Sequence, residues 1–302
     1  MAFSKEHIQD LVSFISGITN KVFDGHYVII EKTLEQALYD DLVKLADHGT
    51  TMYLMYDNND IGGPANLNRK LDRGLHGIVQ ARIELPRTKH IFYTDTLDSV
   101  LQYQNFAWEK PDVLILDALL YNGISDSNMP DLVKAYHLAI DLILLLSKPE
   151  AGNHSNKEHG GFYLYILGPN KKLQVDIKYT ASALDFNALN NALLILNNIL
   201  NERAYKETKY ALLRSALIDL LLPVPQEERF SFLLKHITEA ATQFQQNYEL
   251  FLSEFKFENE REKIETAKRE YILSINKVFD DIQNKILAIP RMFKILCQQT
   301  VS

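Results

Sequence analysis

The chain contains 302 residues, of which 46% are hydrophobic and 24% are charged, and its formal net charge is −7. This composition is typical of a globular protein with a sizeable core, whereas a negative charge does not support nucleic-acid binding, which requires a positive surface. The single cysteine, Cys297, excludes an internal disulfide and a cysteine-cluster metal site. No nucleotide or cofactor motif occurs, so we expect no cofactor.

We expect a cytoplasmic protein without a membrane span. The most apolar segment, Leu138–Leu146, is interrupted by Asp141 and is much shorter than the ~20 apolar residues that a spanning helix needs. The polar N-terminal segment predicts a helix and not a signal peptide. Partners of this chain are expected to be proteins or further copies of itself, bound through the C-terminal helices, and nucleic acid stays possible although the net charge does not support it.

The first elements alternate between helix and strand. Apolar residues at three-four spacing predict a helix over residues 4–23. The compact apolar segment His26–Glu31 predicts a strand, a capping box opens a helix over 33–49, and Thr51–Tyr56 predicts the next strand. A strand, a helix and a strand in this order predict a βαβ unit with parallel pairing.

Further elements follow a polar loop at 57–74. Alternating polarity or continuous apolar residues predict strands at Ile78–Leu85, His90–Thr94 and Asp112–Leu116, and helices are expected at Leu97–Trp108 and at 130–147. The apolar segments Phe162–Leu167 and Leu173–Tyr179 flank a turn that contains glycine and proline, which predicts a β-hairpin.

From residue 181 onward only helices are predicted. They are expected at 183–201, 205–222, 227–256 and 258–289, the last of them ended by Pro290. The final two carry apolar residues at three-four spacing, which is typical of long antiparallel helices that pack as in a coiled coil. We therefore predict an α+β or α/β fold, with a mixed sheet and helices in an N-terminal domain (1–180) and an all-α hairpin or bundle at 181–302.

The sequence Asp176-Ile177-Lys178, on the second strand of the predicted hairpin, is one candidate for chemistry. An acidic residue two positions before a lysine on such a strand resembles the signature of the PD-(D/E)xK nuclease superfamily. The resemblance implies that Asp176 binds a divalent cation and that Lys178 steadies the attacking water. The acidic companion on the preceding strand is missing, because Gly168-Pro169-Asn170 stands there. The alternative is that both side chains lie on the solvated face of an edge hairpin.

The polar loop at 57–74 is a second candidate, because α/β folds bind ligands in loops that follow parallel strands. The residues that would contact a nucleotide or another anion, or a cation, are Asp57, Asp60, Arg69, Lys70 and Arg73. The spacing of oxygen ligands does not match a calcium loop, because Asn68 stands at the twelfth position. The alternative is a surface loop in which the basic residues neutralise the acidic ones.

The segment from Ser274 to Pro290, SINKVFDDIQNKILAIP, is similar to the end of a helical tail in uncharacterised bacterial proteins associated with phage defence and mobile elements. In those proteins the long helix runs through an Ile-Pro pair into membrane-spanning segments. This chain departs from that pattern, because residues 291–302 contain no such span.

These observations favour a non-enzymatic interaction or assembly protein over an enzyme. Its C-terminal helices would mediate self-association or bind a protein partner, and the resemblance of the tail implies a sensor or adaptor in bacterial antiviral defence. Two alternatives stay open. One is a metal-dependent nuclease that uses Asp176 and Lys178, and the other is nucleotide or anion binding at 57–74.

Overall fold

The computed structural model describes residues 4–103, 105–148, 154–158, 161–168 and 171–299. Two compact units are distinguished along the chain, Met1–Phe244 and Gln245–Ser302. The predicted α+β class is confirmed, with sheets and helices followed by a long helical region at the C-terminus. Among the described residues, no helix combines the length and the apolar character needed to cross a membrane.

The helices are α1 (Lys5–Ser16), α2 (Gln36–Asp47), α3 (Ala65–Leu71), α4 (Leu97–Leu101), α5 (Asp131–Leu146), α6 (Phe186–Leu200), α7 (Lys206–Leu221), α8 (Arg229–Lys235) and α9 (Ile237–Gln299). The strands are β1 (Lys21–Asp24), β2 (Tyr27–Thr33), β3 (Met52–Tyr56), β4 (Asn59–Gly62), β5 (Ile78–Glu84), β6 (Ile91–Thr94), β7 (Val113–Leu116), β8 (Tyr121–Asn122), β9 (His154–Glu158), β10 (Gly161–Leu167) and β11 (Lys172–Asp176).

The N-terminal sheet has five strands in the order β1-β2-β5-β3-β4, and every neighbouring pair is antiparallel. The predicted parallel pairing of the βαβ unit is therefore wrong. Strands β2 and β3 do run in the same direction, but β5 lies between them. The reason is visible at Ala81, which is paired with Ile30 on one side and Leu54 on the other, and all three side chains are buried in the same core. Strand β5 therefore pairs with both β2 and β3, and the buried faces of the three strands share one core.

Helix α1 is shorter than predicted, and β1 occupies the end of the predicted range. The Ser4 hydroxyl caps the helix by accepting a hydrogen bond from the His7 amide at 3.1 Å, and Gly17 caps its C-terminus. Val22 continued the apolar spacing in the sequence, but its side chain is 63% exposed in β1. Periodicity therefore overestimated the helix, because it does not register the glycine cap.

The segment predicted as a polar loop at 57–74 contains β4 and α3. Asp57 and Asn58 both have positive φ angles, 47° and 65°, and form the two-residue turn of the β3–β4 hairpin. Leu67 of α3 is fully buried and anchors this short helix to the N-terminal core. The loop prediction is therefore wrong, because turn chemistry and one buried leucine organise a segment that lacks an apolar run.

A second sheet contains parallel β6 and β7, with β8 antiparallel at its edge. The two predicted strands are confirmed, whereas the helix that joins them, α4, ends at Leu101 and not at Trp108. Tyr93 and Ile115 contribute to the N-terminal core, while Phe92 and Leu114 contribute to a second core. Alternation along the strands thus places this sheet between the two cores.

A buried ion pair joins β1 to the residue that follows β7. Lys21 Nζ lies 2.8 Å from Asp117 Oδ2, and the side chains are only 14% and 8% exposed. The same ammonium donates to the Ile15 carbonyl at 3.0 Å, and the Tyr93 hydroxyl donates to Asp117 Oδ1 at 3.4 Å. Burial and the neighbouring Asp117 charge raise the pKa of Asp95, which follows β6.

The second core lies between the β9–β10–β11 sheet and helices α5 to α8, with the beginning of α9. The predicted hairpin is confirmed as β10 and β11. The core takes buried side chains from both sides of the predicted boundary at residue 180, among them Tyr136, Leu164, Leu193 and Phe244.

The predicted pair of antiparallel helices at 227–256 and 258–289 is instead the short α8 and the 63-residue α9. The interruption falls at His236, and α9 continues through Pro290. No glycine or proline occurs between residues 237 and 289, so nothing in the sequence ends the helix there. The prediction that Pro290 ends the helix is therefore wrong. The fixed φ of proline lies in the helical range, although the residue removes one backbone hydrogen bond and its ring crowds the carbonyl four positions earlier.

Candidate functional site

An exposed apolar stripe runs along α9 in the second unit. We call the residues Tyr271, Ile275, Val278 and Ile282 the assembly stripe. They recur at intervals of four and three residues, which places them on one side of a helix. Their side chains are 68%, 37%, 54% and 47% exposed. Four large apolar side chains in a row on a solvated helix face are typical of a surface that another helix covers.

Charged and apolar residues share the side of α9 that precedes the assembly stripe. Glu254, Arg261 and Lys268 precede Ile275 and Ile282 at seven-residue intervals on the same side of α9. Phe257 and Ile264 stand fourteen and seven residues before Tyr271 and are 72% and 67% exposed, so charged residues flank the apolar line of this side without ending it. The assembly stripe, from residue 271 to residue 282, is the part of this side in which apolar residues stand at both the four- and the three-residue intervals.

A second apolar line widens the stripe. Ile272 and Phe279 directly follow Tyr271 and Val278, and they are 47% and 65% exposed. Leu273 is also exposed, but it lies on the opposite side of the helix. A face with two adjacent apolar lines is wider than the narrow seam of a two-stranded coiled coil.

Asp176 lies at the end of β11, paired with Tyr163 of β10. Its side chain is only 6% exposed. Its Oδ1 atom accepts hydrogen bonds from Gln174 Nε2 at 3.1 Å and from Gln226 Nε2 at 2.9 Å. The placement of Asp176 on a solvated hairpin face is therefore wrong, although Lys178 is exposed as that alternative required. The cause is α8 and the preceding 3₁₀ turn, which pack against β11 and bury a polar position.

A cavity of about 340 Å³ opens beside Asp176. The aromatic and charged side chains that line it are Trp108, Phe162, Tyr163, Asp176, Lys178 and Tyr179. The Trp108 and Phe162 rings stack with centroids 5.5 Å apart and an angle of 22° between their planes. The Tyr179 hydroxyl donates to the Ala107 carbonyl at 2.9 Å, which fixes the wall formed by these segments.

The two nuclease residues are therefore next to one cavity, but no acidic companion joins them in the described structure. Within the described ranges, no three His, Cys, Asp or Glu side chains form a group that could hold a metal ion. Pro169 and Asn170, where the nuclease resemblance requires its companion, lie outside the described residues. One carboxylate is a poor divalent-cation site, because such sites are built from several oxygen ligands.

The candidate binding residues at 57–74 have separate roles. Asp57 Oδ1 accepts the Ile78 amide at 3.0 Å, and Asp60 Oδ1 accepts the Gly62 amide at 2.8 Å. The Lys70 ammonium lies 5.0 Å from the centre of the Tyr56 ring. Arg69 and Arg73 are exposed. Both carboxylates thus support backbone turns, and anion binding at this segment stays a prediction.

Comparison with known proteins gives no match: no family model, no curated protein and no solved structure is significantly similar to the chain. The functional interpretation therefore depends on the assembly stripe and the cavity themselves.

Sequence reasoning found Asp176 and Lys178 but missed the other components of their surroundings. Trp108 is the only tryptophan of the chain, which is the one signal that draws attention to it. Gln226 follows Pro225 and belongs to a 3₁₀ turn far from the hairpin in sequence. No periodic pattern relates these residues, because only the tertiary fold brings them together.

Proposed function

We propose that the protein is a non-enzymatic assembly protein that associates with further copies of itself through the assembly stripe of α9. The observation that supports this proposal is the row of Tyr271, Ile275, Val278 and Ile282 exposed at three-four spacing. Burying one such side chain fully contributes about 1.5–3 kcal/mol. While all four side chains stay exposed to water, most of that stabilisation is not gained.

A second copy of the chain suits this surface because an identical helix carries the same spacing. In a coiled coil each apolar side chain inserts between four residues of the facing helix, so both helices must repeat with the same period. Ile272 and Phe279 add contact area beside the stripe and favour more than one partner helix. We therefore propose an oligomer of identical α9 helices, of order two or higher.

The experiment is multi-angle light scattering on the full chain, compared with two matched variants. Ile275→Glu places a charge in the assembly stripe and is expected to lower the molar mass to that of a monomer. Leu273→Glu makes the same kind of change on the opposite face, where the side chain is 68% exposed, and is expected to leave the oligomer intact. Circular dichroism shows whether both variants retain their helices. A monomeric unmodified chain across the accessible concentrations, or equal behaviour of the two variants, contradicts the proposal.

The narrower role, a cytoplasmic sensor or adaptor in bacterial antiviral defence, is supported by the resemblance of the segment 274–290 alone. Phage plating on a bacterium that expresses the chain tests it. Reduced plating that is lost in Ile275→Glu and kept in Leu273→Glu is the expected result. Equal plating with and without the gene contradicts this role and leaves the assembly proposal to the scattering experiment.

A further inference from the structure

The cavity beside Asp176 combines a buried carboxylate with a cationic rim. Asp176 is more than nine-tenths buried, and its Oδ1 atom is held by the two glutamine amides. Among the described residues its Oδ2 atom has no hydrogen-bond partner, and the residue lines the cavity. The Oδ2 atom is not itself shut off from solvent, so it can accept a hydrogen bond from a ligand in the cavity.

Lys178 lines the same cavity from the exposed side. Its backbone amide donates to the Asp176 carbonyl at 2.9 Å, so residues 176–178 form a tight three-residue turn at the end of the strand. Lys178 and Asp176 both lie in the described part of the chain, and no ion pair within 4.0 Å joins their side chains. The cavity therefore presents a carboxylate and an ammonium that do not neutralise each other.

The remaining walls are apolar and aromatic. Trp108, Phe162 and Tyr179 are each at most 8% exposed, and Leu101 and Ala107 complete this side of the cavity. Flat ring faces such as these favour a hydrophobic or aromatic group. A volume of about 340 Å³ is near the lower end of the ~300–1,000 Å³ range of ligand sites, which suits a small molecule.

Other classes of ligand fit the carboxylate, the ammonium and the aromatic walls of this cavity poorly. A phosphate or a nucleotide would meet the buried carboxylate as a like charge. A simple organic cation would leave the Lys178 ammonium unpaired and repelled. A divalent cation needs more oxygen ligands than Asp176 supplies. A zwitterion with an apolar body satisfies both charges and the aromatic walls.

We infer that this cavity binds a free α-amino acid with an aromatic or large apolar side chain. Asp176 Oδ2 accepts a hydrogen bond from the α-ammonium group, and the Lys178 ammonium pairs with the α-carboxylate. The side chain of the ligand packs against the rings of Trp108 and Phe162. Gln174 and Gln226 act as positioning residues, because their amides orient the carboxylate that contacts the ligand.

Trp108 provides the assay, because it is the only tryptophan and forms a wall of the cavity. Titration of the full chain with L-phenylalanine is expected to change its fluorescence saturably. Phenethylamine lacks the carboxylate, 3-phenylpropanoate lacks the ammonium, and glycine lacks the side chain. Each is expected to bind at least about tenfold more weakly, since each omits one of the contacts.

Two variants test the assigned charges. Asp176→Asn retains the shape of the side chain and its two glutamine contacts, and Lys178→Met alters only an exposed residue. Both are expected to weaken L-phenylalanine binding about 10- to 100-fold, whereas the exposed control Lys171→Met leaves it unchanged. Circular dichroism verifies folding of each variant.

No saturable change up to about 10 mM L-phenylalanine or L-leucine would overturn the inference. Equal binding of phenethylamine would also overturn it, in favour of an organic-cation site. Equal binding of 3-phenylpropanoate would do so in favour of a carboxylate site. These outcomes are independent of the oligomeric state, so the inference and the assembly proposal fail separately.

Discussion

The Lys21–Asp117 ion pair allows a quantitative prediction about stability. In Lys21→Met the Asp117 carboxylate stays in a site where it is only 8% exposed, and its remaining donor is the Tyr93 hydroxyl at 3.4 Å. Removing one partner of a buried pair costs about 3–5 kcal/mol. Since Tyr93 stays as a donor, we expect the lower end of that range, about 3 kcal/mol in the free energy of unfolding.

Replacement of the other partner, Asp117, is expected to lower the free energy of unfolding by less. In Asp117→Asn the Lys21 ammonium keeps its hydrogen bond to the Ile15 carbonyl, and its flexible stem reaches water more readily. We expect a loss of about 1.5–2 kcal/mol, the lower part of the range that is typical of a hydrogen bond to a charged group. The double variant is expected to lose less than the sum of the two, by about 1–2 kcal/mol, because the two side chains are in direct contact.

Urea denaturation followed by far-ultraviolet circular dichroism measures these differences. With a slope of about 3 kcal/mol per molar urea, the Lys21→Met midpoint falls by about 1 M. The control is Lys134→Met, which breaks an exposed pair with Asp131 at 2.9 Å and is expected to cost less than about 1 kcal/mol. If Lys21→Met costs no more than the control, or if the two single losses simply add in the double variant, the ion pair does not join β1 to β7 as described.

Three further predictions concern Asp95, His7 and Gly123 of the first unit. Burial and the Asp117 charge raise the pKa of Asp95, so the ionised form of this side chain disfavours folding. Asp95→Asn is therefore expected to raise the urea midpoint at pH 7. The gain is expected to shrink as the pH falls toward 3.8, the ordinary pKa of an aspartate. Burial lowers the pKa of His7, so folding stability is lost as the pH falls through 6.5, the ordinary pKa of a histidine. His7→Gln is expected to flatten the dependence of the urea midpoint on pH between about 5 and 8. An unchanged slope of the midpoint against pH would contradict this. A Cβ at Gly123, which follows β8, would lie 2.7 Å from the Leu114 carbonyl oxygen of β7. Gly123→Ala is therefore expected to cost about 1–3 kcal/mol in urea denaturation, and a neutral effect would show that the backbone after β8 adapts.

Regular strands with one buried face could be predicted from the sequence, whereas their pairing could not. The alternation in Ile78–Glu84 identified β5, because polar and apolar side chains point to opposite faces. Alternation does not encode which strands lie on either side, and a helix between two strands favoured a parallel neighbour. The short strand β4 was missed because its hairpin depends on the positive φ angles of Asp57 and Asn58 and not on apolar residues.

The sequence predicted more of the assembly stripe than of the cavity beside Asp176. The apolar spacing that forms the assembly stripe was visible in the sequence, but whether a partner segment of the same chain covers it was not. Sequence spacing predicted a turn between residues 256 and 258, where the structure has an uninterrupted helix. At the cavity, Asp176 and Lys178 were found as a pair, whereas Trp108 and Gln226 come from distant segments whose approach depends on the packing of the second core.

The central position of β5 determines when the N-terminal sheet can form during synthesis. Before β5 leaves the ribosome, the chain offers only two separate hairpins, β1–β2 and β3–β4, and two-stranded hairpins are at best marginally stable in water. Each hairpin meanwhile presents an unpaired edge that can pair with another nascent chain. Emergence of residue 84 from the ribosome therefore allows the two labile hairpins to join into one sheet, and ribosomal pausing before that point would favour aggregation over folding.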